Sequence, residues 1–238
     1  MTTCLLNLGP QHPSSHGVLR VVFEADGEYI KKASPEVGYL HRGSEKLCEY
    51  KEYPKILPFF DRFDYVSTIA GEQAYSLIIE KLLNINIPKY SSLVRVLFVE
   101  LIRISNHLLA LTTHAMDVGA ITPFLWAFEE REEICNVLEL ISGARLHTTF
   151  IRPGGISSLL NSTVCIKIYE FITNIRLKIE ETYHLLGKNP IWKNRLKNIG
   201  FISKNLVESY GLTGVLARGS GVKRDLRKCT PYDNYQML

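Results

Sequence analysis

The chain has 238 residues, of which 46% are hydrophobic and 22% are charged, so it can bury a sizeable core and is neither disordered nor of low complexity. Its net charge of +4 is small and its basic residues are spread out except near residues 223–228, which argues against nucleic-acid binding. Five cysteines stand far apart without a C-x-x-C pair, which argues against a zinc site, an iron–sulfur cluster held by this chain alone, or a disulfide framework.

The first feature along the chain is a loop with two prolines and two histidines, residues 9–17 (GPQHPSSHG). Proline fixes φ and glycine permits backbone angles closed to other residues, so such a loop holds His12 and His16 in defined orientations. Histidine is also the side chain best suited to moving a proton near neutral pH. From these residues alone, an ordinary turn whose histidines cap backbone groups is the commoner explanation.

A small β-rich subdomain and then long helices are predicted beyond this loop. Residues 19–23 and 28–33 flank the dipeptide Asp26-Gly27, which is typical of a hairpin turn. Helical periodicity, with breaks at proline and glycine, predicts four long helices, at residues 66–83, 91–113, 123–142 and 163–186. We therefore expect a mainly α-helical bundle after the N-terminal sheet.

The second predicted helix is apolar around nearly its whole circumference, which indicates a position at the centre of the bundle. Glu100, Arg103 and His107 are spaced as neighbours along this helix, so internal pairing of these charges is the simplest explanation. Together with Arg95, these charges interrupt residues 93–111, the segment nearest to a membrane span, and such a span needs roughly 18 or more uninterrupted apolar residues. No secretory or transit-type leader is recognisable, so we expect a protein that is made where it works or that has lost a leader.

Three domains and an α+β fold class are predicted. They are a β-rich subdomain with the histidine loop over residues 1–60, a helical core over 61–190, and a mixed α/β segment over 191–238 in which several glycines predict tight loops. The stretch 231–235 resembles the middle of a loop rather than the end of a fold. We therefore expect that another chain completes the fold or that the tail docks on one.

An ordered set of motifs resembles one protein family over nearly the whole chain. Besides the loop at 9–17, these motifs lie at residues 38–46, 60–65, 112–120, 128–132, 142–147, 151–155, 216–221 and 225–227. Together they resemble the hydrogenase-related core subunit of NADH:quinone oxidoreductase, respiratory complex I, and most of all its mitochondrial and related bacterial members. The resemblance implies a fold like that of the nickel–iron hydrogenase large subunit.

The resemblance also implies a pocket in which a quinone headgroup is reduced. His16 and Tyr65 match the family's headgroup ligands, and both side chains can donate a proton to a reduced quinone. Asp117 matches the acidic partner of that histidine, which would raise its proton affinity. Without the resemblance, Tyr65 would more often be a core tyrosine and Asp117 a helix cap near Gly119.

A second group of residues matches positions around the family's terminal iron–sulfur cluster, which a neighbouring small subunit holds. They are Arg42, Arg62 and His147. Cations and hydrogen-bond donors beside such a cluster stabilise its reduced state and raise its potential. Arg42 also matches a position that is methylated in mitochondrial relatives.

The function that the resemblance implies is a core subunit of a proton-pumping NADH:ubiquinone oxidoreductase. Such a subunit is peripheral to the mitochondrial inner membrane on the matrix side and holds no metal or cofactor of its own, with ubiquinone as the substrate and a [4Fe-4S] cluster next to it. The implied partners are the cluster-bearing small subunit, other core subunits, and membrane-arm subunits at the quinone channel. Because the family continues beyond the region that matches Tyr235, we expect a split subunit, with a second polypeptide supplying the C-terminal half.

Two other functions stay open. One is a structural or assembly fragment of the same complex without a direct role in chemistry, against which the joint presence of His16, Tyr65, Asp117 and His147 speaks. The other is a subunit of a ferredoxin- or hydrogenase-linked relative. Nickel–iron hydrogenases hold their metals with paired C-x-x-C motifs, and the sequence has none.

Overall fold

The computed structural model describes residues 4–12 and 17–237, and the chain divides into two compact units, Met1–Tyr53 and Pro54–Leu238. The first unit is a three-stranded antiparallel sheet followed by a short helix. The strands pair in chain order, and the elements are β1 (Cys4–Leu8), β2 (Arg20–Asp26), β3 (Tyr29–Glu36) and helix α1 (Ser44–Glu49).

The predicted hairpin is confirmed, with longer strands than expected. Asp26 pairs with Tyr29 across the turn, and Gly27 has a φ of 62°, the left-handed region that glycine adopts without strain. A register shift between Glu24 and Ala25 lets the pairing continue on both sides of the bulge. Strand β1 was not predicted, because its five residues, CLLNL, show no alternation of apolar and polar side chains.

The second unit is almost entirely helical. Its long helices are α3 (Thr68–Leu83), α4 (Lys89–Val118), α5 (Thr122–Ser142) and α6 (Ser162–Gly187). The shorter elements are α2 (Tyr53–Phe60), the strands β4 (Ile151–Arg152) and β5 (Gly155–Ile156), α7 (Pro190–Leu196), α8 (Lys204–Ser209), α9 (Gly214–Gly219), α10 (Leu226–Cys229) and a 3₁₀ helix at Tyr235–Met237. The four predicted long helices are therefore all present.

The core of this unit forms around α4, which packs against α3 and α5, while α5 packs against α6. Its largest apolar members include Phe98 and Phe150, whose ring centroids lie 5.0 Å apart and whose side chains are fully buried. Other members come from α3, α5 and α6: Ile69, Ile134, Leu138, Val164, Ile168 and Phe171. Burial of this cluster supplies the main stabilisation of the unit.

Helix α4 extends further in both directions than predicted. It continues to Val118 because no helix breaker occurs before Gly119, whose φ of 108° ends the helix. The central part of α4 is buried on most sides, as predicted. Towards its two ends, however, Leu93 and Leu111 are 48% and 49% exposed. Among the described helices, none is long and apolar enough to cross a membrane.

The C-terminal segment differs from the mixed α/β structure that the sequence suggested. Within residues 191–237 the structure has short helices and no strand. Side-chain caps begin three of these helices: Asn189 Oδ1 accepts a hydrogen bond from the Ile191 N–H, Ser203 Oγ accepts one from the Leu206 N–H, and Asp225 Oδ1 accepts one from the Arg227 N–H. Glycines with positive φ, among them Gly211 and Gly221, separate the helices.

Candidate functional site

The residues that the sequence predicts for the site fall into different parts of the structure. His16 lies outside the described residues. Arg42 belongs to the first unit, where it is exposed just before α1. The other predicted residues belong to the second unit: Arg62, Tyr65, Asp117 and His147.

Arg62 and Tyr65 lie in the tight turn that joins α2 to α3. Oδ1 of Asp64 accepts hydrogen bonds from the backbone N–H groups of Val66 at 3.2 Å and Ser67 at 3.3 Å, which fix the turn. Arg62 donates from Nη1 to the Pro58 carbonyl at 2.6 Å. Tyr65 is 58% exposed. It is therefore not a core tyrosine, and more than half of its surface is accessible.

A close helix contact sets the geometry of this turn. A Cβ atom on Gly71 would lie 2.6 Å from the Phe60 carbonyl oxygen, which is nearer than real Cβ contacts allow. Only glycine therefore lets the first turn of α3 approach the end of α2 so closely. This contact holds the two ends of the turn that carries Arg62 and Tyr65.

His147 lies in the segment after α5, and hydrogen bonds fasten this segment to α3. Thr68 Oγ1 donates to the Leu146 carbonyl at 2.8 Å, and Glu72 Oε2 accepts from the Ile151 N–H at 2.7 Å. Partial burial and then the positive charge of Arg62 lower the pKa of His147, although the nearby backbone of Asp61 opposes the shift. Arg62 and His147 thus lie near one another, and we call these two residues the Arg62–His147 face.

Two fully buried carboxyl groups lie behind this face. Asp61, directly after α2, and Glu72, on α3, are both 0% exposed. Burial, with the neighbouring Asp61 carboxyl, raises the pKa of Glu72 to about 8. Burial also raises the pKa of Asp61, while the Glu72 carboxyl and the Arg62 charge oppose that rise and leave it at about 6. Sequence reasoning missed this pair, since Asp61 was noted only as part of a motif.

Asp117 lies on a different element, in the last turn of α4, where it is exposed. The end of this helix is closed by backbone groups, because the N–H groups of Gly119 and Ala120 donate to the Met116 and Ala115 carbonyls at 2.9 and 2.8 Å. The end of α4 therefore does not require Asp117 as a helix cap. Its predicted partner, His16, is outside the described residues, so their pairing stays a prediction.

The predicted pairing of Glu100 with Arg103 is confirmed, and the C-terminal segment adds to it. Arg103 Nε and Arg227 Nη1 each lie 3.1 Å from Glu100 Oε2, and the Tyr235 hydroxyl donates to Oε1 at 2.5 Å. Although burial opposes it, these donors lower the pKa of Glu100. Arg103 repels a charged His107 rather than pairing with it, because burial and then the charge of Arg103 lower the pKa of that histidine.

A cavity of about 370 Å³ lies beside this group, and its lining is rich in arginine: Arg103, Arg218, Arg224 and Arg227, with His107. The cysteines of the chain are unpaired thiols. Across residues 4–12 and 17–237 there is no group of three or more His, Cys, Asp or Glu side chains that could hold a metal ion.

A completely buried arginine ties the C-terminal segment to the core. Arg95 on α4 is 0% exposed and forms a two-pronged ion pair with Glu80 on α3, at 2.9 and 2.5 Å. It also donates to the Gly155 carbonyl at 2.9 Å and lies 4.0 Å from Asp233 Oδ1. The sequence placed Arg95 on a buried helix without indicating its partners.

Comparisons with known proteins agree on one family. The family model of the 49 kDa subunit of respiratory-chain NADH dehydrogenase matches residues 117–238, just over half of the chain. The chain is 54% identical to NADH dehydrogenase [ubiquinone] iron-sulfur protein 2 of Arabidopsis thaliana and 52% identical to the NADH-ubiquinone oxidoreductase 49 kDa subunit of Reclinomonas americana. Each alignment spans 233 residues, 98% of this chain and 59% of the relative.

A third relative, the mitochondrial 49 kDa subunit of Neurospora crassa, is 49% identical over 98% of this chain and 49% of its own length. The chain thus spans about three fifths of the length of the first two relatives and half of the third. The family resemblance of the sequence motifs is confirmed. The chain belongs to the family of the 49 kDa subunit of respiratory-chain NADH dehydrogenase.

Proposed function

We propose that this chain forms part of the quinone-reduction pocket of a proton-pumping NADH:ubiquinone oxidoreductase, respiratory complex I. The observation that carries the proposal is the exposed Tyr65 in the same turn as Arg62, whose charge acts on His147. The printed names of the relatives, NADH dehydrogenase (ubiquinone) and NADH-ubiquinone oxidoreductase, support ubiquinone as the substrate. A buried Tyr65 could not have reached a quinone and would not have supported the proposal.

Reduction of a quinone to a quinol requires two electrons and two protons, so the pocket needs hydrogen-bond donors at the quinone oxygens. We assign one of these donors to the exposed phenol of Tyr65. His16 is the expected second donor, and a carboxylate such as Asp117 would hold its imidazole in the protonated form. Both of these assignments stay predictions from the family resemblance.

We assign the Arg62–His147 face to the side of the pocket that meets a [4Fe-4S] cluster in a neighbouring small subunit. For Arg42, which belongs to the other unit, the same assignment stays a prediction from the family resemblance. That cluster, when present, would supply the electrons. Arg62 would provide a permanent positive charge, and its hydrogen bond to the Pro58 carbonyl fixes its position. Because its pKa is lowered, His147 would be neutral near pH 7 and able both to donate and to accept a hydrogen bond.

The expected location is the matrix side of the mitochondrial inner membrane, since one relative is named as mitochondrial. The expected partners are the cluster-bearing subunit, other core subunits and membrane-arm subunits at the quinone channel. A second polypeptide that supplies the rest of the subunit, the likeness to the hydrogenase large subunit, and methylation of Arg42 also stay predictions. An inventory of the chains in the purified complex tests the second polypeptide.

Substitution of Tyr65 by phenylalanine in the assembled complex tests the proposal. We expect Tyr65→Phe to lower quinone reduction at least about tenfold, because one proton donor is lost. NADH oxidation by an artificial acceptor should stay within twofold of wild type, since that reaction bypasses the pocket. Tyr169→Phe is the matched control, because Tyr169 is also exposed, on α6. Unchanged quinone turnover in Tyr65→Phe would favour the structural or assembly role instead.

A further inference from the structure

We infer that Asp61 and Glu72 hold one proton between them and that this shared proton keeps the Arg62–His147 face in position. They are positioning residues, since they are buried and do not reach a ligand. The shared proton follows from the complete burial of both groups, the donors already bound to Glu72 and the missing donor of Asp61, and the pKa shifts agree with it. The inference rests on the proposed function only where it assigns the face to quinone reduction.

The two carboxyl groups have very different hydrogen-bond environments. Each oxygen of Glu72 has a fixed donor: Oε1 accepts from the Thr148 hydroxyl at 2.8 Å, and Oε2 accepts from the Ile151 N–H at 2.7 Å. Neither oxygen of Asp61 has a donor in hydrogen-bond geometry among the described residues. The Thr149 N–H lies near enough to lower the pKa of Asp61 but not in a position to bond it. One carboxyl group is therefore satisfied and the other lacks a donor.

Two unprotonated carboxylates side by side in a fully buried site would repel each other and would lack the solvation that they have in water. A proton on Glu72 removes this repulsion and gives Asp61 the donor that it lacks. The shifts agree with this arrangement, because burial and the charge of Asp61 raise the pKa of Glu72, whereas the Glu72 carboxyl lowers that of Asp61. At neutral pH the proton therefore resides on Glu72 and the negative charge on Asp61.

The charged and titratable groups that face this pair are the two members of the Arg62–His147 face. Arg62 approaches from the α2–α3 turn and stabilises the charge of Asp61. His147 approaches from the segment after α5 and lies near enough to the backbone of Asp61 for that group to act on its pKa, although its Nδ1 atom is buried without a hydrogen-bond partner among the described residues. Thr148, in the same segment, contributes an uncharged hydroxyl. Loss of the proton would therefore place two repelling charges between the turn and the segment and loosen the positions of both members of the face.

The sign of the pH dependence follows from the raised pKa values. The folded protein holds the proton more tightly than the unfolded chain, whose Asp and Glu side chains titrate near 3.8 and 4.5. The stabilisation is complete below those values and is lost as the pH rises through about 6 and then about 8. The pair thus makes folding less favourable at alkaline pH, opposite to the usual behaviour of carboxylates in ion pairs.

Urea denaturation of the full chain at several pH values tests the shared proton without any quinone. From about pH 5 to pH 8, we expect the unfolding constant of wild type to rise by up to about tenfold per pH unit relative to Glu72→Gln, since one bound proton is lost. Glutamine keeps the shape of Glu72 and donates to Asp61 without titrating. Glu180→Gln, an exposed carboxyl on α6, is the matched control and should follow wild type.

A second measurement covers the case in which Glu72→Gln does not fold. The infrared spectrum of the wild-type chain should show a protonated carboxyl band at pH 7 that disappears as the pH rises beyond about 8. Parallel pH slopes for wild type and Glu72→Gln, or absence of the band at pH 6 to 7, would overturn the inference. If the band is present while Tyr65→Phe leaves quinone turnover unchanged, the proposed function fails and the shared proton stands.

Discussion

Replacement of Arg95 by methionine should destabilise the protein more than any change on its surface. Methionine fills most of the same volume but leaves Glu80 and Asp233 buried without their counter-ion, and the Gly155 carbonyl without a donor. Breaking a buried ion pair from one side costs about 3 to 5 kcal/mol, because the remaining charge stays buried. We therefore expect a loss of about 4 kcal/mol in the free energy of unfolding of Arg95→Met.

Urea denaturation followed by circular dichroism measures this loss. With a slope of about 2.5 kcal/mol per molar urea, a loss of about 4 kcal/mol moves the midpoint down by roughly 1.6 M. Arg95→Lys keeps the charge but not the two-pronged geometry, so it should lose about 1 to 2 kcal/mol and still fold. Arg176→Met, at an exposed pair with Glu180, should lose at most about 0.5 kcal/mol. A midpoint for Arg95→Met equal to that of Arg176→Met would refute the reasoning.

Two further substitutions test how the turn and the C-terminal segment are held. Gly71→Ala should lose about 1 to 3 kcal/mol of stability and reduce quinone turnover, because the new methyl group displaces the Phe60 carbonyl. Gly219→Ala is the control and should lose no stability, because the space around Gly219 is open. Equal stabilities of the two variants would contradict the close contact at Gly71. Tyr235→Phe should lose about 1.5 kcal/mol and speed amide exchange in residues 231–237, because Glu100 loses a donor. Tyr210→Phe is the control, because Tyr210 is exposed, and it should be as stable as wild type. Wild-type stability of Tyr235→Phe would show that its hydrogen bond to Glu100 is absent.

The parts of the fold that sequence predicted well depend on local patterns. The hairpin turn at Asp26 and Gly27 and the four long helices follow from residue types within a few positions of each other. The pairing of Glu100 with Arg103 is local in the same sense, since the two residues are three positions apart. The end of α4 was misjudged because His114 and Asp117 interrupt the apolar pattern without breaking the helix.

The parts that could not be predicted depend on contacts between distant residues. Arg95 was recognisable as a charge on an apolar helix, but its partner Asp233 comes from near the other end of the chain. The Asp61–Glu72 pair was missed for the same reason: periodicity assigns Glu72 to a helix and says nothing of the Thr148 hydroxyl that it bonds. The signal that could have found it is an acidic residue at a position where the helix faces the core.

The attachment of residues 231–237 to the central helices has a consequence for the order of folding. Gln73 donates to Asp233 across 160 positions, and Tyr235 reaches Glu100 across 135. Contacts of such long sequence separation form late, because closing large loops costs chain entropy. During synthesis, Arg95 and Glu80 can meet long before Asp233 leaves the ribosome. Until residues 231–237 have been synthesised, the Gln73 amide and the Glu100 carboxylate lack these hydrogen-bond partners, which makes chaperone contact most valuable in that interval.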